Sequence, residues 1–479
     1  MPENNVIPTA IPAPISPSSW AGTGLNELPQ EIAEGERSSL SLVQECLQRI
    51  KDFDVSRRFN AIIDINKDAL AQAGAIDERL AQGKQIGPLA GVPFIVKANI
   101  GTSELPNSSG NLSLAKMQPT YDSDAVRVLR EAGAIVLATA NTSEYAWHGT
   151  FTHSTVGGTT GNFFDSLLSA SGSSGGSAVA VAAGYAPFAL GTDTCGSITG
   201  PAAHASLVGF RPTHGSVSTD GVIPLSAAQD AVGVIASTAH DTCTVARLLN
   251  PALGNQDIKT TGLTGTFLTW PFETVGAPRT QHRQDKAEVR QLVERAATLL
   301  FENIQAGHQE LPKLTRIDFA HHFSGSDFTD ITHGIDGYLH NTSFRAPDQN
   351  TIPTCVQTLK KSTLSDETVA NWRSHDAEYD ASTIDANKRK TADNKHRFSE
   401  YLAENQVDFL VFATSAETAS KNWAGTAAAD ISANTGSPSI QIPVGFTTAG
   451  LPVGITIVTR PEYDTLALWL GEMMERALI

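Results

Sequence analysis

Cysteine, basic charge and long apolar runs are all scarce in this 479-residue sequence. Lys and Arg number 34 against 50 Asp and Glu, which gives a formal net charge of −16. That balance argues against direct binding to nucleic acid or to an anionic membrane surface. No stretch approaches 18 uninterrupted apolar residues, so no membrane span is expected.

The cysteines are too few and too dispersed for a disulfide framework or a cysteine zinc site. None of them forms a C-x-x-C pair, and they lie far apart at Cys46, Cys195, Cys243 and Cys355. The N-terminal sequence MPENNVIPTAIPAPISPSS lacks the basic start and apolar core of a secretory signal. Together these features predict a cytoplasmic protein with reduced thiols.

Pro and Ser in the first residues predict a flexible N-terminal arm at 1–25, followed by a single domain at 26–479. Within that domain, helical and strand patterns alternate. The segment SDAVRVLREAGAIVLATAN (123–141) is typical of a helix, a glycine stop at Gly133 and a buried strand. Strands that are apolar throughout predict an α/β fold with a large mixed, mostly parallel central sheet covered by helices on both faces.

This alternation stops at about residue 252 and returns near residue 408, in DFLVFATS. The intervening segment, about 252–400, is more polar and richer in His and Asp. Because strand patterns return after it, we interpret it as a variable insertion in one domain, where substrate specificity is expected to reside.

Two loops rich in Gly and Ser border one helix–strand unit, SGSSGGS at 171–177 and CGS at 195–197. A phosphate loop is excluded because G-x-x-x-x-G-K-[ST] is missing. A G-x-S-x-G nucleophile elbow around Ser197 is excluded because Cys195 and Thr199 occupy both glycine positions. A flexible linker conflicts with the apolar segment between the loops. Two interpretations of these loops remain: they are tight turns, or they are parts of one active site.

A serine can act as a nucleophile without histidine when a neutral lysine accepts its proton. Lys97 ends the apolar segment VPFIVK, where it could be buried. Burial disfavours the ammonium form and would lower the pKa of this lysine from its usual value of about 10.4. A lysine that extends from the edge of a strand to solvent is the alternative.

Three segments resemble the amidase signature family: GPLAGVPFIVKANI, the region SGSSGGSAVAVAAGYAPFALGTDTCGSITGPAA with SLVGFRPTHGSVS, and TGSPSIQIPVGFTTAGLPVGI. The resemblance covers roughly 38–250 and 405–478. It implies the amidase-signature fold and a triad of Ser197 as nucleophile, Ser173 as the bridging serine after a cis peptide bond, and Lys97 as base. It further implies an oxyanion hole of backbone N–H groups from Thr194, Cys195, Gly196 and Ser197.

The implied activity is hydrolysis of an amide through an acyl-enzyme, releasing a carboxylic acid and ammonia or an amine. The expected substrate is a small-molecule amide, with carbamates and ureas in the same range, and no cofactor or metal is required. A homodimer is compatible with this expectation. Three positions depart from the family pattern: Ala98 in place of Asp, Cys195 in place of Gly and Thr199 in place of Arg. Asp193 matches the family motif and is expected to order its loop.

Substrate contacts are expected at Asn111, Tyr145, Ser171, Gly172 and Trp423, although Tyr145 fits a core position equally well. A glutaminase-like subunit of a tRNA-dependent amidotransferase is the main alternative function. A receptor that has lost the triad is disfavoured because all three groups are present. A metal hydrolase is disfavoured because H-E-x-x-H is missing, and because the spacing fits no standard ligand set at His321, His322, His333 and His340.

Overall fold

The computed structural model describes residue 16 and residues 18–254, 257–272, 283–309, 311, 316–325, 328–345, 352–377 and 380–479. Its strands, in chain order, are β1 (Ile62–Ile65), β2 (Pro93–Lys97), β3 (Gln118–Pro119), β4 (Ile135–Ala140), β5 (His153–Ser154), β6 (Gly158–Thr159), β7 (Phe188–Asp193), β8 (Val208–Arg211), β9 (Ala231–Ala236), β10 (Thr264–Phe267), β11 (Gly307–His308), β12 (Phe344–Arg345), β13 (Phe409–Ala413), β14 (Ser439–Phe446) and β15 (Pro452–Thr459).

Eleven of these strands form one sheet in the order β1-β4-β2-β7-β9-β8-β14-β15-β13-β10-β11. Strands β2, β4, β7, β8, β9 and β13 are buried along their whole length, as expected when both faces of a sheet are covered. The predicted fold class, a large mixed sheet covered by helices, is confirmed.

Within the sheet, parallel pairing is limited to two groups, β4–β2–β7 and β13–β10–β11. The other six neighbouring pairs are antiparallel, so antiparallel pairing is the larger share. An apolar strand sequence indicates that the strand is buried on both faces. It does not indicate whether the neighbouring strands run parallel or antiparallel to it.

The helices, in chain order, are α1 (Glu27–Glu34), α2 (Ser39–Phe53), α3 (Ala69–Ala81), α4 (Asp124–Glu131), α5 (Gly175–Ala182), α6 (Thr199–His204), α7 (Ala239–Leu249), α8 (Arg283–Asn303), α9 (Arg316–His322), α10 (Ile331–Asn341), α11 (Cys355–Thr358), α12 (Asp366–Ala377), α13 (Ala381–Glu404), α14 (Asp430–Thr435) and α15 (Asp464–Ala477). No helix in the described part of the chain combines the length and apolarity needed to cross a membrane.

The predicted unit at 123–141 shows how local sequence produces these elements. Ser123 caps α4 by accepting a hydrogen bond from Val126 N–H, and the helix buries its apolar face. Gly133 then has a φ of 94°, a left-handed conformation that favours glycine, and the chain enters β4. The helix, the stop and the strand are confirmed.

Two predicted boundaries differ from the structure. The predicted arm reaches residue 25, but Trp20 and Leu25 are buried in the core; residues 1–15 and 17 lie outside the described residues. The predicted insertion begins at residue 252, but β10 and β11 extend the sheet beside β13, and α8 packs against α15. The first part of that segment therefore belongs to the sheet and its covering helices. The remainder packs together with residues from outside it in two smaller cores, around Trp372 and Phe398.

Candidate active site

Lys97 is the last residue of β2, and it is fully buried. Its Nζ lies 2.6 Å from Ser173 Oγ, a residue 76 positions away in the sequence. The same Nζ lies 2.7 Å from Thr192 Oγ1 and 3.2 Å from the Thr192 carbonyl oxygen, on the adjacent parallel strand β7. The fold therefore joins two of the three residues of the expected triad, and it adds Thr192, which sequence reasoning missed.

Burial lowers the pKa of Lys97 to about 7, against the opposing influence of the nearby carboxylates of Asp193 and Asp230. A large fraction of this side chain is therefore the neutral amine at neutral pH. An amine that is neutral in its resting state can accept a proton from a hydroxyl, so Lys97 has the chemistry that a general base needs.

The loop that carries Ser173 is tightly enclosed. The Gly172–Ser173 peptide bond is cis. A Cβ at Gly172 would lie 2.3 Å from the Phe151 carbonyl oxygen and 2.5 Å from that of His148, so only glycine fits. The Ser173 carbonyl accepts hydrogen bonds from Thr142 Oγ1 at 3.0 Å and from Ser143 N–H at 3.2 Å. These contacts hold the Ser173 main chain, while its side chain contacts Lys97.

Ser197 lies in the second Gly/Ser loop, between β7 and α6, and is only 5% exposed. Its carbonyl oxygen accepts a hydrogen bond from Ser174 N–H at 3.2 Å, so the two Gly/Ser loops are in direct contact. The structure thus brings all three expected triad residues into one region, with Lys97 and Ser173 in side-chain contact.

Asp193 orders the Ser197 loop, as expected from the sequence. Its carboxylate accepts hydrogen bonds from Gly196 N–H at 2.8 Å and from Ile198 N–H at 2.7 Å. The Gly196 N–H is therefore turned towards Asp193, and its expected place in the oxyanion hole is wrong. Thr194, Cys195 and Ser197 remain as candidate donors.

A buried charged network supports this loop. Arg211, on β8, pairs with Asp193 at 3.2 Å, and each side chain is 1% exposed. Asp230 accepts a hydrogen bond from Thr194 Oγ1 at 2.6 Å. Sequence reasoning missed Arg211 and Asp230. The Arg lies in the quoted motif SLVGFRPTHGSVS, but its partner could not be identified from the motif.

Two expected substrate contacts are corrected by the structure. Asn111 is buried, and its Nδ2 donates to Glu144 Oε1 at 2.6 Å. Tyr145 is 1% exposed, its hydroxyl contacts Thr358 Oγ1, and burial raises its pKa. Both side chains are therefore occupied by contacts inside the protein.

The other expected contacts lie closer to the triad. Ser171, in a left-handed conformation, and Gly172 directly precede Ser173 and are buried. Trp423 is partly exposed, and its segment packs near the Ser197 loop, because a Cβ at Gly196 would lie 2.6 Å from Thr426 Oγ1. Thr426 is a further neighbour of the site that sequence reasoning missed.

The three departures from the family pattern have different surroundings. Ala98 is buried, and its carbonyl oxygen accepts a hydrogen bond from Ser109 N–H at 2.7 Å. Cys195 is exposed, two residues before Ser197 in the chain. Thr199 is buried at the start of α6 and lines a small internal cavity with Arg211.

Comparisons with known proteins agree with this arrangement. The Amidase family model matches residues 41–468. A glutamyl-tRNA(Gln) amidotransferase subunit from Picosynechococcus sp. is 37% identical over 238 residues, which cover 50% of this chain and 48% of the relative. The corresponding protein from Thermobifida fusca is 40% identical over 232 residues, covering 48% and 45%.

The chain therefore spans about half the length of these curated relatives. A solved structure covers much more: the native peptide amidase from Stenotrophomonas maltophilia has a TM-score of 0.79 at 29% identity, over 96% of this chain and 98% of that chain.

Proposed function

This chain belongs to the amidase family, and on that premise we propose that it hydrolyses an amide bond through an acyl-enzyme. Ser197 is the nucleophile, Ser173 the bridging serine and Lys97 the base. The observation that carries this proposal is the 2.6 Å contact between Lys97 Nζ and Ser173 Oγ in a buried site.

In the first half of the reaction, neutral Lys97 accepts the Ser173 hydroxyl proton while Ser173 accepts the proton of Ser197. Ser197 Oγ then forms a bond to the amide carbon, and the carbonyl oxygen becomes an oxyanion. Backbone N–H groups of Thr194, Cys195 and Ser197 are the proposed donors to it; one such donor is worth about 3 kcal/mol of barrier. When the tetrahedral intermediate collapses, the C–N bond breaks and the leaving nitrogen takes a proton through Ser173.

In the second half, water attacks the ester carbon of acyl-Ser197, and the same relay removes a proton from that water. Collapse of this second intermediate breaks the ester bond, returns the proton to Ser197 and releases a carboxylic acid. The proton taken from Ser197 passes to the leaving nitrogen, and the proton taken from water returns to Ser197. The protons therefore balance without an external cofactor.

A small-molecule amide is the proposed substrate class. The end-to-end similarity to a peptide amidase supports this choice. Carbamates and ureas also contain a carbonyl carbon bonded to nitrogen that Ser197 can attack, so the same substrate panel includes them. Trp423 and Thr426 are proposed to line the substrate pocket, because their segment packs near the loop that carries Ser197.

The second candidate function is an ammonia-supplying component of a tRNA-dependent amidotransferase. The observation that favours it is the identity of 37–40% to a component of that enzyme, over about half of the chain. This function requires a partner protein, with glutamine as the amide donor. Hydrolysis of other amides by the purified chain alone favours the first function, whereas glutaminase activity that depends on a co-purifying protein favours the second.

Covalent labelling tests the nucleophile directly. The protein is incubated with a fluorophosphonate and with a panel of primary amides, anilides, carbamates and ureas, and intact-mass analysis follows the label. We expect one label on Ser197, which is lost together with turnover in Ser197→Ala.

The matched control is Cys195→Gly, which removes the adjacent exposed thiol and retains the backbone N–H. We expect this variant to keep the label on Ser197. Labelling that persists in Ser197→Ala and disappears in Cys195→Gly would identify the thiol as the nucleophile and overturn the proposal.

A further inference from the structure

The hydrogen bonds around Lys97 Nζ fit the neutral amine in one arrangement. An amine has two N–H donors and one lone pair. The Thr192 carbonyl oxygen, at 3.2 Å, can only accept, so it takes one N–H. The second N–H goes to either Thr192 Oγ1 at 2.7 Å or Ser173 Oγ at 2.6 Å. Only when Thr192 takes it does the lone pair face Ser173.

The Asn99 side chain contacts the Thr192 hydroxyl oxygen through both atoms of its amide group. Asn99 Nδ2 donates to Thr192 Oγ1 at 3.1 Å, and the Thr192 hydroxyl can donate its own hydrogen to Asn99 Oδ1 at 3.4 Å. The Asn99 main chain is itself held, because its carbonyl accepts a hydrogen bond from Ile223 N–H at 2.8 Å. With its hydrogen directed to Asn99, the Thr192 oxygen presents a lone pair to Lys97.

We propose that Thr192 is a positioning residue for the reaction: it engages both N–H groups of neutral Lys97 and thereby directs the amine lone pair at the Ser173 hydroxyl. The inference rests on the proposed function, since it assigns Lys97 the role of base. Thr192 acts through Lys97 and makes no contact with substrate in this scheme.

The charged groups around Lys97 also influence its pKa, which is one of the quantities that test the role of Thr192. Asp193, on β7, and Asp230, before β9, are the carboxylates that act on it, and Arg211, on β8, pairs with Asp193. Replacing Thr192 leaves all three in place. A change in the titration of Lys97 after that replacement therefore reports the lost hydroxyl.

The test is Thr192→Val, which removes the hydroxyl and retains the shape of the side chain. We expect kcat to fall roughly 100-fold, the scale of a misdirected catalytic group, with KM nearly unchanged. Thr192→Ser keeps the hydroxyl and should restore most of kcat. The matched control is Thr139→Val on β4: this hydroxyl is also buried, and among the described residues it has no hydrogen-bond partner.

The pH profile separates positioning from a structural effect. A hydrogen-bond acceptor favours the ammonium form, so its removal lowers the pKa of Lys97, and the acidic limb of the profile should move to lower pH as the plateau falls. A loosened site that admits water would move that limb to higher pH. A lower fraction of folded enzyme would reduce the plateau and leave the limb in place; titration with the covalent label measures that fraction.

Wild-type kcat and an unshifted profile in Thr192→Val would overturn the inference, as would a limb that moves to higher pH. If the valine variant does not fold, Thr192→Ala provides the same comparison with Thr192→Ser. Failure of the proposed function is seen separately, as full turnover by Ser197→Ala.

Discussion

The site on the sheet and the helices α10–α12 of the insertion are held in different ways. Lys97 and Thr192 lie on β2 and β7, adjacent interior strands of the sheet, and their polar atoms contact one another in a buried region. The insertion packs in a small core around Trp372 that also includes body residues such as Leu114 and Ile223. Polar side chains also connect the insertion to the body, and one such junction lies close to the Ser173 loop.

That junction consists of Glu144 and Tyr145 in the body and Thr358 and Thr363 in the insertion. The Glu144 carboxylate accepts hydrogen bonds from Thr363 N–H at 3.2 Å and Thr363 Oγ1 at 3.1 Å, and Tyr145 contacts Thr358. The neighbouring Ser143 N–H binds the Ser173 carbonyl. The two regions thus differ in role: the sheet carries Lys97 and Thr192, whereas the junction connects the insertion to the segment that holds the Ser173 main chain.

The largest effect should follow from removal of the base on the sheet. Lys97→Ala is expected to lower kcat/KM by at least about 10³-fold, within the range for a lost general base. Lys97→Arg should not restore activity, because a guanidinium stays protonated and offers no lone pair. Steady-state kinetics on the best amide of the panel measures both. Substantial turnover by Lys97→Arg would contradict the relay.

A smaller effect should come from titration of the same lysine. The pKa of Lys97 is lowered to about 7, and the active form is the neutral amine, which predominates above that pH. We therefore expect kcat/KM to rise with pH and to level off above about 8. One unit below the pKa the rate should be about a tenth of the plateau, since a tenfold change in proton concentration is one pKa unit. A rate already maximal at pH 5 would show that the base is a different group.

The smallest effect should arise at the junction. Tyr145→Phe removes one buried hydrogen bond to the insertion and should lower the free energy of unfolding by about 1 kcal/mol, measured by denaturant titration. With the smallest amide of the panel kcat should stay near that of the wild type, while the ratio of kcat/KM between large and small amides should change. A loss of kcat as large as that expected for Thr192→Val would show that the junction affects the chemistry as strongly as the residues on the sheet do.

Sequence reasoning was most successful where local patterns govern structure. The helix–stop–strand unit around Gly133 is confirmed, and so is the resemblance to the amidase signature family. It was wrong where contacts between distant segments decide: Asn111 and Tyr145 bind inside the protein, and Gly196 N–H binds Asp193. The triad roles remain predictions, supported by the contact between Lys97 and Ser173.

Local sequence by itself determined where this chain turns, where its helices and strands form, and which residues carry serine and lysine chemistry, because these properties depend on backbone preferences and side-chain type. Tertiary structure alone decided that Lys97 is buried, that Thr192 and Ser173 share its amine, and that Gly196 N–H donates to Asp193. The physical reason is that desolvation and hydrogen-bond partnership arise from packing of strands far apart in the sequence, which no local pattern encodes.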